Sequence, residues 1–503
     1  TSSPAPPNQT HRQSFPKSRP LVGLFAVLLA LLVLGMVAVA TSQASAHAIL
    51  LASPVAQNDD RIQERVTEVE NPEWLLEEPQ FRYANTRSAP QFSQTATHGD
   101  NSPYTLLRAL ANDWVIKWRT VSSPTIYLPY VTHIFTQPAT MSLAERIGFG
   151  LTSSALAPYT DVTTLGAGWY LDWRVREQPE RPAGMDYVQM VRVHQELSCG
   201  DWHHGDRAAC PYAEPLNYRF RPSASTIAVA AKANPGALWL IGNEMDRKDW
   251  SYCIEWSPPP NTEHCEVVGH SGQDEMLPAT YAVAYHDLYG IIKAADPSAR
   301  VAIGGIIQPT PIRLTYLTAI WDAYQATYSE TMPVDVWNVH NFIIREKKDN
   351  WGADIPPGVD VAAGEYVLDD SAPQPYHIDM AIFQAQIVAF RQWMKEHGQQ
   401  NKPLVVSEYG VLFSNELIGS SCTALGTACV QDFMVATFDF FATAKDCNLG
   451  YVADQCRLVQ QWNWYSLDDT WGSFNIHSRL FDPNSKQITE TGIRFREYLA
   501  QQQ

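Results

Sequence analysis

Positive charge is scarce in this chain. Lys and Arg together number 36 against 53 Asp and Glu, leaving a net charge of -17. Such a balance gives no broad attraction to nucleic-acid phosphates or to an anionic membrane face, so an uncharged polymer or oligomer is the more compatible partner. Zinc-type cysteine spacing is missing too: no Cys-x-x-Cys occurs, and His203-His204 reads as part of a solvated loop. A dinucleotide turn is also absent, because Gly148-Phe149-Gly150-Leu151 lacks the later glycine that the fingerprint requires. No metal and no cofactor are expected.

What is present is enough apolar residue for a full-sized core, with 45% hydrophobic residues in 503 and 16 Trp. Near the start, Arg12, Lys17 and Arg19 precede an uncharged apolar run over residues 21–40, followed by Ala44-Ser45-Ala46. That order reads as a secretory signal cleaved after Ala46, and the run is also long enough to be an uncleaved membrane anchor. Either way residues 1–46 are a targeting or anchoring segment, and the rest of the chain is expected outside the cytoplasm.

All eight cysteines follow that segment and fall as near neighbours: Cys199 and Cys210, Cys253 and Cys265, Cys422 and Cys429, Cys447 and Cys456. Four local disulfides in an oxidising compartment are the expectation, although about 105 pairings are possible in principle.

Residues 47–142 are rich in Ser, Thr, Pro, Asn and Gln and read as a linker or stalk, interrupted by an apolar island at 126–131. After Arg146 the texture changes. Strand-like apolar runs at 147–152, 167–175, 187–194, 238–244, 301–307, 334–341, 404–409 and 458–464 alternate with helical patterns at 279–295, 314–328, 380–397, 430–444 and 490–499. Eight buried runs of this kind predict a parallel sheet closed into a (β/α)8 TIM barrel over 143–503, acting as a monomer.

Barrel active sites lie at the C-terminal ends of the strands. The fourth run ends in Asn243-Glu244-Met245-Asp246 and the seventh in Ser407-Glu408-Tyr409-Gly410. Ring closure would bring these two glutamates to one mouth, where a pair of carboxyls can cleave a glycosidic bond with one as acid and the other as nucleophile. Further candidates at strand ends are Trp173 and Arg174 on the second, His194 on the third, His340 on the sixth and Trp462 on the eighth.

This pattern resembles the clan A retaining glycoside hydrolases, which carry Asn-Glu at the end of the fourth strand and Glu at the end of the seventh. The resemblance implies that Glu244 is the acid/base, that Glu408 is the nucleophile, and that Asn243 bonds the sugar 2-hydroxyl. It further implies a His near the nucleophile at His340, an aromatic subsite floor at Trp462 and an arginine near the second strand at Arg174. Its substrate is expected to be an oligo- or polysaccharide, β-linked, with specificity set by loops.

Two other functions compete. A non-catalytic glycan-binding barrel would keep the aromatics and lose a carboxylate. A metal-dependent barrel hydrolase would need clustered His and Asp at strand ends, and no His-x-His ends the first strand.

Overall fold

The structure, a computed structural model, describes residues 116–117, 130–131, 141–253, 267–271, 273–350, 352–368, 376–412, 427–469 and 476–501. The apolar run at 21–40, the cleavage point after Ala46 and most of the 47–142 linker lie outside the described residues. Within the linker, Tyr130–Val131 ends the apolar island and pairs antiparallel with Ile116–Lys117.

The eight barrel strands are Ile147–Gly150, Trp169–Leu171, a third in two stretches (Asp186–Tyr187 and Gln189–Gln195), Leu238–Asn243, Arg300–Gly305, Trp337–His340, Leu404–Tyr409 and Gln461–Trp464. Each pairs in parallel with the next in the chain. The fifth and sixth are joined by single bridges, Ala302 to Val336 and Ile306 to Val339. The eighth pairs with the first through Trp462 and Ile147, so the sheet closes. The fold is the expected α/β TIM barrel, and every predicted run supplied its strand.

Outside the ring stand the helices Pro278–Ala295, Pro311–Tyr328, Met380–Glu396, Ala428–Thr443 and Glu490–Gln501. Two begin with proline, whose missing N–H costs nothing in a first turn. The Met380 helix is capped by Asp379, whose side chain accepts from the Ala381 and Ile382 amides. One unexpected helix, Ala224–Ala233, follows an extra antiparallel strand, Tyr218–Arg221, paired to the third barrel strand. The first two crossovers carry short 3-10 turns, Val162–Leu165 and Pro182–Gly184, where a regular barrel has helices.

Alternation along the strands divides the core into two layers. Trp169, Leu171, Val188, Met190, Leu238, Leu240, Ala302, Val336 and Val405 fill the barrel interior. Their neighbours on the same strands, including Trp239, Ile241, Trp337, Val339, Trp462 and Trp464, point outward and pack under the helices. A buried Arg146 clasps the seam between last and first strands, with Nη1 donating to the Gln460 carbonyl at 3.0 Å and to Asp454 at 2.7 Å.

Two of the four expected disulfides are formed, Cys199–Cys210 in the loop after the third strand and Cys447–Cys456 before the eighth. Cys429 is disulfide-bonded as well. Cys265 and Cys422, and with them two of the expected pairings, lie outside the described residues. Among the described residues no helix is long and apolar enough to cross a membrane.

Candidate active site

The fourth strand delivers Glu244 through a forced turn. Gly242 has φ +91°, and a Cβ there would meet the Met245 side chain at 3.0 Å, so glycine is required. Glu244 itself sits at φ +50°, an uncommon region for a residue with a side chain and one that the surroundings must hold in place. They do so from two directions. The Glu244 amide donates to the Gly305 carbonyl at 2.9 Å, and two residues on, the buried Asp246 carboxylate accepts from the Ile307 amide.

Arg313 fixes that same turn from the outer layer. Its fully buried guanidinium bonds Asp246 (3.1 Å) and Glu346 (2.8 Å), and donates to the carbonyls of Ala353 and Asp354. Burial, with the Glu244 charge added and Arg313 opposing, pushes Asp246 up to about 6. Asp246 is therefore a support for the loop: its carboxylate is fully buried and turned to the Ile307 amide and the Arg313 guanidinium.

On the seventh strand a β-bulge aims Glu408. The register to the eighth strand shifts between Val406 and Tyr409, so Ser407 and Glu408 together stand against Asn463. Without that extra residue, alternation from the inward Val405 would have turned Glu408 toward the helices. Instead Tyr409 takes the outward place, its ring 5.3 Å from those of Phe383 and Phe441.

His340 joins the two carboxylates. Its Nδ1 lies 3.0 Å from Glu244 Oε1 and its Nε2 lies 3.8 Å from Glu408 Oε2. Gly305 leaves room for the ring, since a Cβ there would come within 2.3 Å of it. One oxygen of each glutamate and a ring nitrogen of His340 all fall within 4.8 Å of one another, and all three residues are buried. Ring closure thus brings together two acids that stand far apart in the chain.

The charges in this cluster are unevenly partnered. Burial raises the Glu244 carboxyl, but Arg247 (2.9 Å) and His340 outweigh it and hold it down at about 2. Glu408 has no arginine paired with it among the described residues, only His340 at 3.8 Å. Burial and the neighbouring Glu244 charge push it up to about 7, against the pull of His340 and of the Trp173 indole. Burial would keep His340 neutral, yet the Glu408 and Glu244 carboxylates raise its pKa. In the free protein, then, Glu244 is the ionised acid and Glu408 the more readily protonated one.

Of the remaining candidates, Trp173 belongs to this cluster, donating its indole N–H to Glu408 Oε2 at 3.0 Å. Asn243 is at its edge: its amide is held by Asp274, and its Oδ1 is buried with no hydrogen-bond partner among the described residues. Three expectations need correction. Trp462 is not a subsite floor; it is an outward strand residue, fully buried against Phe441 (5.3 Å) and Phe438 (6.2 Å). Arg174 is not paired with Glu408 and instead faces Asp172 at 3.8 Å. His194 is locked in a separate buried network, with Nε2 2.9 Å from Asp249 and Nδ1 2.7 Å from the Gln195 carbonyl.

Sequence reasoning missed Tyr465 and Arg247. The Tyr465 ring lies 5.7 Å from that of Trp173, and Glu408 is close enough to help raise its phenol pKa, after burial and Asp469. Tyr465, one residue past the eighth strand, is thus an aromatic beside Trp173 and Glu408. Arg247 stands three positions after Glu244, a spacing at which a turn brings side chains together.

Among the described residues two sets have metal-like composition, and neither fits an ion well. His340 turns a different nitrogen to each glutamate, so its lone pairs diverge from any single centre. In the set His194, His203 and Asp249, the carboxylate already accepts from both imidazoles, the His204 amide and the Arg207 guanidinium. A cation would have to displace that guanidinium.

No protein family matches the sequence, and no curated protein does. Solved structures that resemble it bear glycoside hydrolase family names, GH128, GH5, GH53 and GH2 among them. One is a GH128 (subgroup VII) oligosaccharide-binding protein from Trichoderma gamsii, at 13% identity over 72% of this chain and 98% of that one, with a TM-score of 0.39. Another is a GH5_18 protein from Streptomyces cattleya in complex with GlcNAc, at 12% identity, 71% and 80% coverage and a TM-score of 0.38. The Ignisphaera aggregans GH53 catalytic domain matches at 11% identity, 72% and 98% coverage and a TM-score of 0.35.

Proposed function

We propose that the protein is a retaining glycoside hydrolase, exported from the cytoplasm and acting on a β-linked glycan. The observation that carries this reading is the approach of the Glu244 and Glu408 carboxylates, with oxygens within 4.8 Å at one end of a closed barrel. Retaining enzymes keep their carboxyls about 5 to 5.5 Å apart, whereas inverting ones leave about 6.5 to 9.5 Å for a water.

Glu244, protonated, gives its proton to the glycosidic oxygen while the Glu408 carboxylate bonds to the anomeric carbon and the C–O bond breaks toward the departing sugar. Water then attacks that carbon, passes a proton to Glu244 and releases Glu408. The Trp173 N–H stabilises Glu408 as a carboxylate, and Tyr465 offers a ring face to the sugar.

A non-catalytic glycan-binding barrel is the second reading. It is favoured by the Arg247 ion pair, which keeps the intended acid charged in the free protein. Aryl glycosides with good leaving groups separate the two readings. Glu408→Gly with azide should give a glycosyl azide of inverted anomeric configuration, and Glu244→Gly with azide one of retained configuration. Binding of oligosaccharide by a wild-type protein that turns over no glycoside would favour the second reading.

A further inference from the structure

Arg247 flanks the carboxylate pair and is partly open to solvent. It pairs with Glu244 Oε2 at 2.9 Å, its side chain is 19% exposed, and its charge also reaches Glu408. Glu244's other cationic neighbour, His340, is closed off at 1%. An acid catalyst must carry a proton when the leaving oxygen departs, and this guanidinium, bonded to Glu244 at 2.9 Å, exerts the largest single charge effect against that state. Opening the pair with a neutral sugar would leave Arg247 without a counter-ion beside a low-dielectric cluster, an unfavourable exchange.

We infer that Arg247 binds an acidic group of the substrate, and that the sugar unit at the cleavage point is a uronate. This rests on the glycosidase reading above and adds its substrate class. A sugar carboxylate that replaces Glu244 on Arg247 acts twice in one direction. It gives the guanidinium its partner, and it sets a negative charge next to Glu244, which favours uptake of the proton that Glu244 must donate. Only the correct substrate then arms the acid. The overall net charge of -17 does not oppose this, because charges beyond about 8 Å are largely screened at physiological salt.

The test compares wild-type kcat/KM on matched 4-nitrophenyl β-glycosides that differ only at C6, glucuronide against glucoside and galacturonide against galactoside. At least one uronide should be favoured over its neutral partner by on the order of 10- to 100-fold. Arg247→Gln should abolish that ratio and Arg247→Lys should keep part of it; a ratio is independent of how much of each variant folds. Equal or faster cleavage of the neutral glycosides, or a ratio that survives Arg247→Gln, overturns the uronate inference and leaves the glycosidase reading standing. No cleavage of any of the four by the wild type overturns both.

Discussion

Trp173 reaches across the barrel mouth to donate its indole N–H to Glu408 at 3.0 Å, from a backbone held at φ +58°. The pair joins the second strand to the seventh, and it provides the contact that an arginine was expected to make.

Trp173→Phe removes the donor and keeps the ring. The ionised form of Glu408 loses a hydrogen bond, so its pKa rises and the acidic limb of the kcat/KM profile moves to higher pH. A charge-assisted bond contributes about 1.5 to 3 kcal/mol, which corresponds to a loss of roughly 10- to 100-fold in kcat/KM. An unmoved acidic limb would refute the role.

Stability should fall as pH rises through the neutral range. Glu408 ionises near 7 in the folded protein against an ordinary value of 4.5, so between those values the folded state binds more proton than the unfolded one. The loss over that window is roughly 3 kcal/mol at about 1.4 kcal/mol per pH unit. Glu244, held at about 2, acts in a different window: its contribution is complete above 4.5 and is lost as pH falls toward 2. Denaturant melts of wild type and Glu408→Gln at pH 5 and 7.5 check this, and the decline should shrink in the variant.

Trp462→Ala and Tyr465→Ala should separate core from site. Emptying the Trp462 position costs about 3 to 5 kcal/mol of stability, with KM little changed in the protein that remains folded. Tyr465→Ala should raise KM with a smaller fall in Tm. The reverse pattern would restore Trp462 to the sugar subsite.

These two residues also show what could be read in the sequence. All eight strands were legible because runs such as Leu238-Trp239-Leu240-Ile241 are apolar on both faces, as a parallel barrel demands. Which face each residue takes was not legible. In Gln461-Trp462-Asn463-Trp464 both tryptophans point outward, and nothing local distinguishes that parity from its opposite. The bulge at Ser407 and the positive φ at Trp173 reset the alternation, which aims Glu408 inward and sends Arg174 to Asp172. The glutamate pair stood out because strand-end position alone, and not parity, located it. Arg247 was passed over, because a residue at i+3 shows its partner only once the turn is built.

Arg313→Met should be among the most damaging changes away from the reacting groups. It leaves Asp246 and Glu346 buried without their cation, at about 3 to 5 kcal/mol. Because Asp246 holds the turn that carries Glu244, kcat should fall as well, and Arg313→Lys should recover stability in part. Unchanged thermal unfolding would show that the network relaxes freely.

The seam clasped by Arg146 has a practical corollary. Since the eighth strand lies hydrogen-bonded to the first, the continuity of the ring does not depend on where the polypeptide happens to be cut. A circularly permuted chain, opened at the exposed turn near Gly398 and joined by a flexible tether between residues 501 and 142, should reassemble the same cylinder. Its cut would fall on the side away from the glutamates, and sugar cleavage should survive the rewiring.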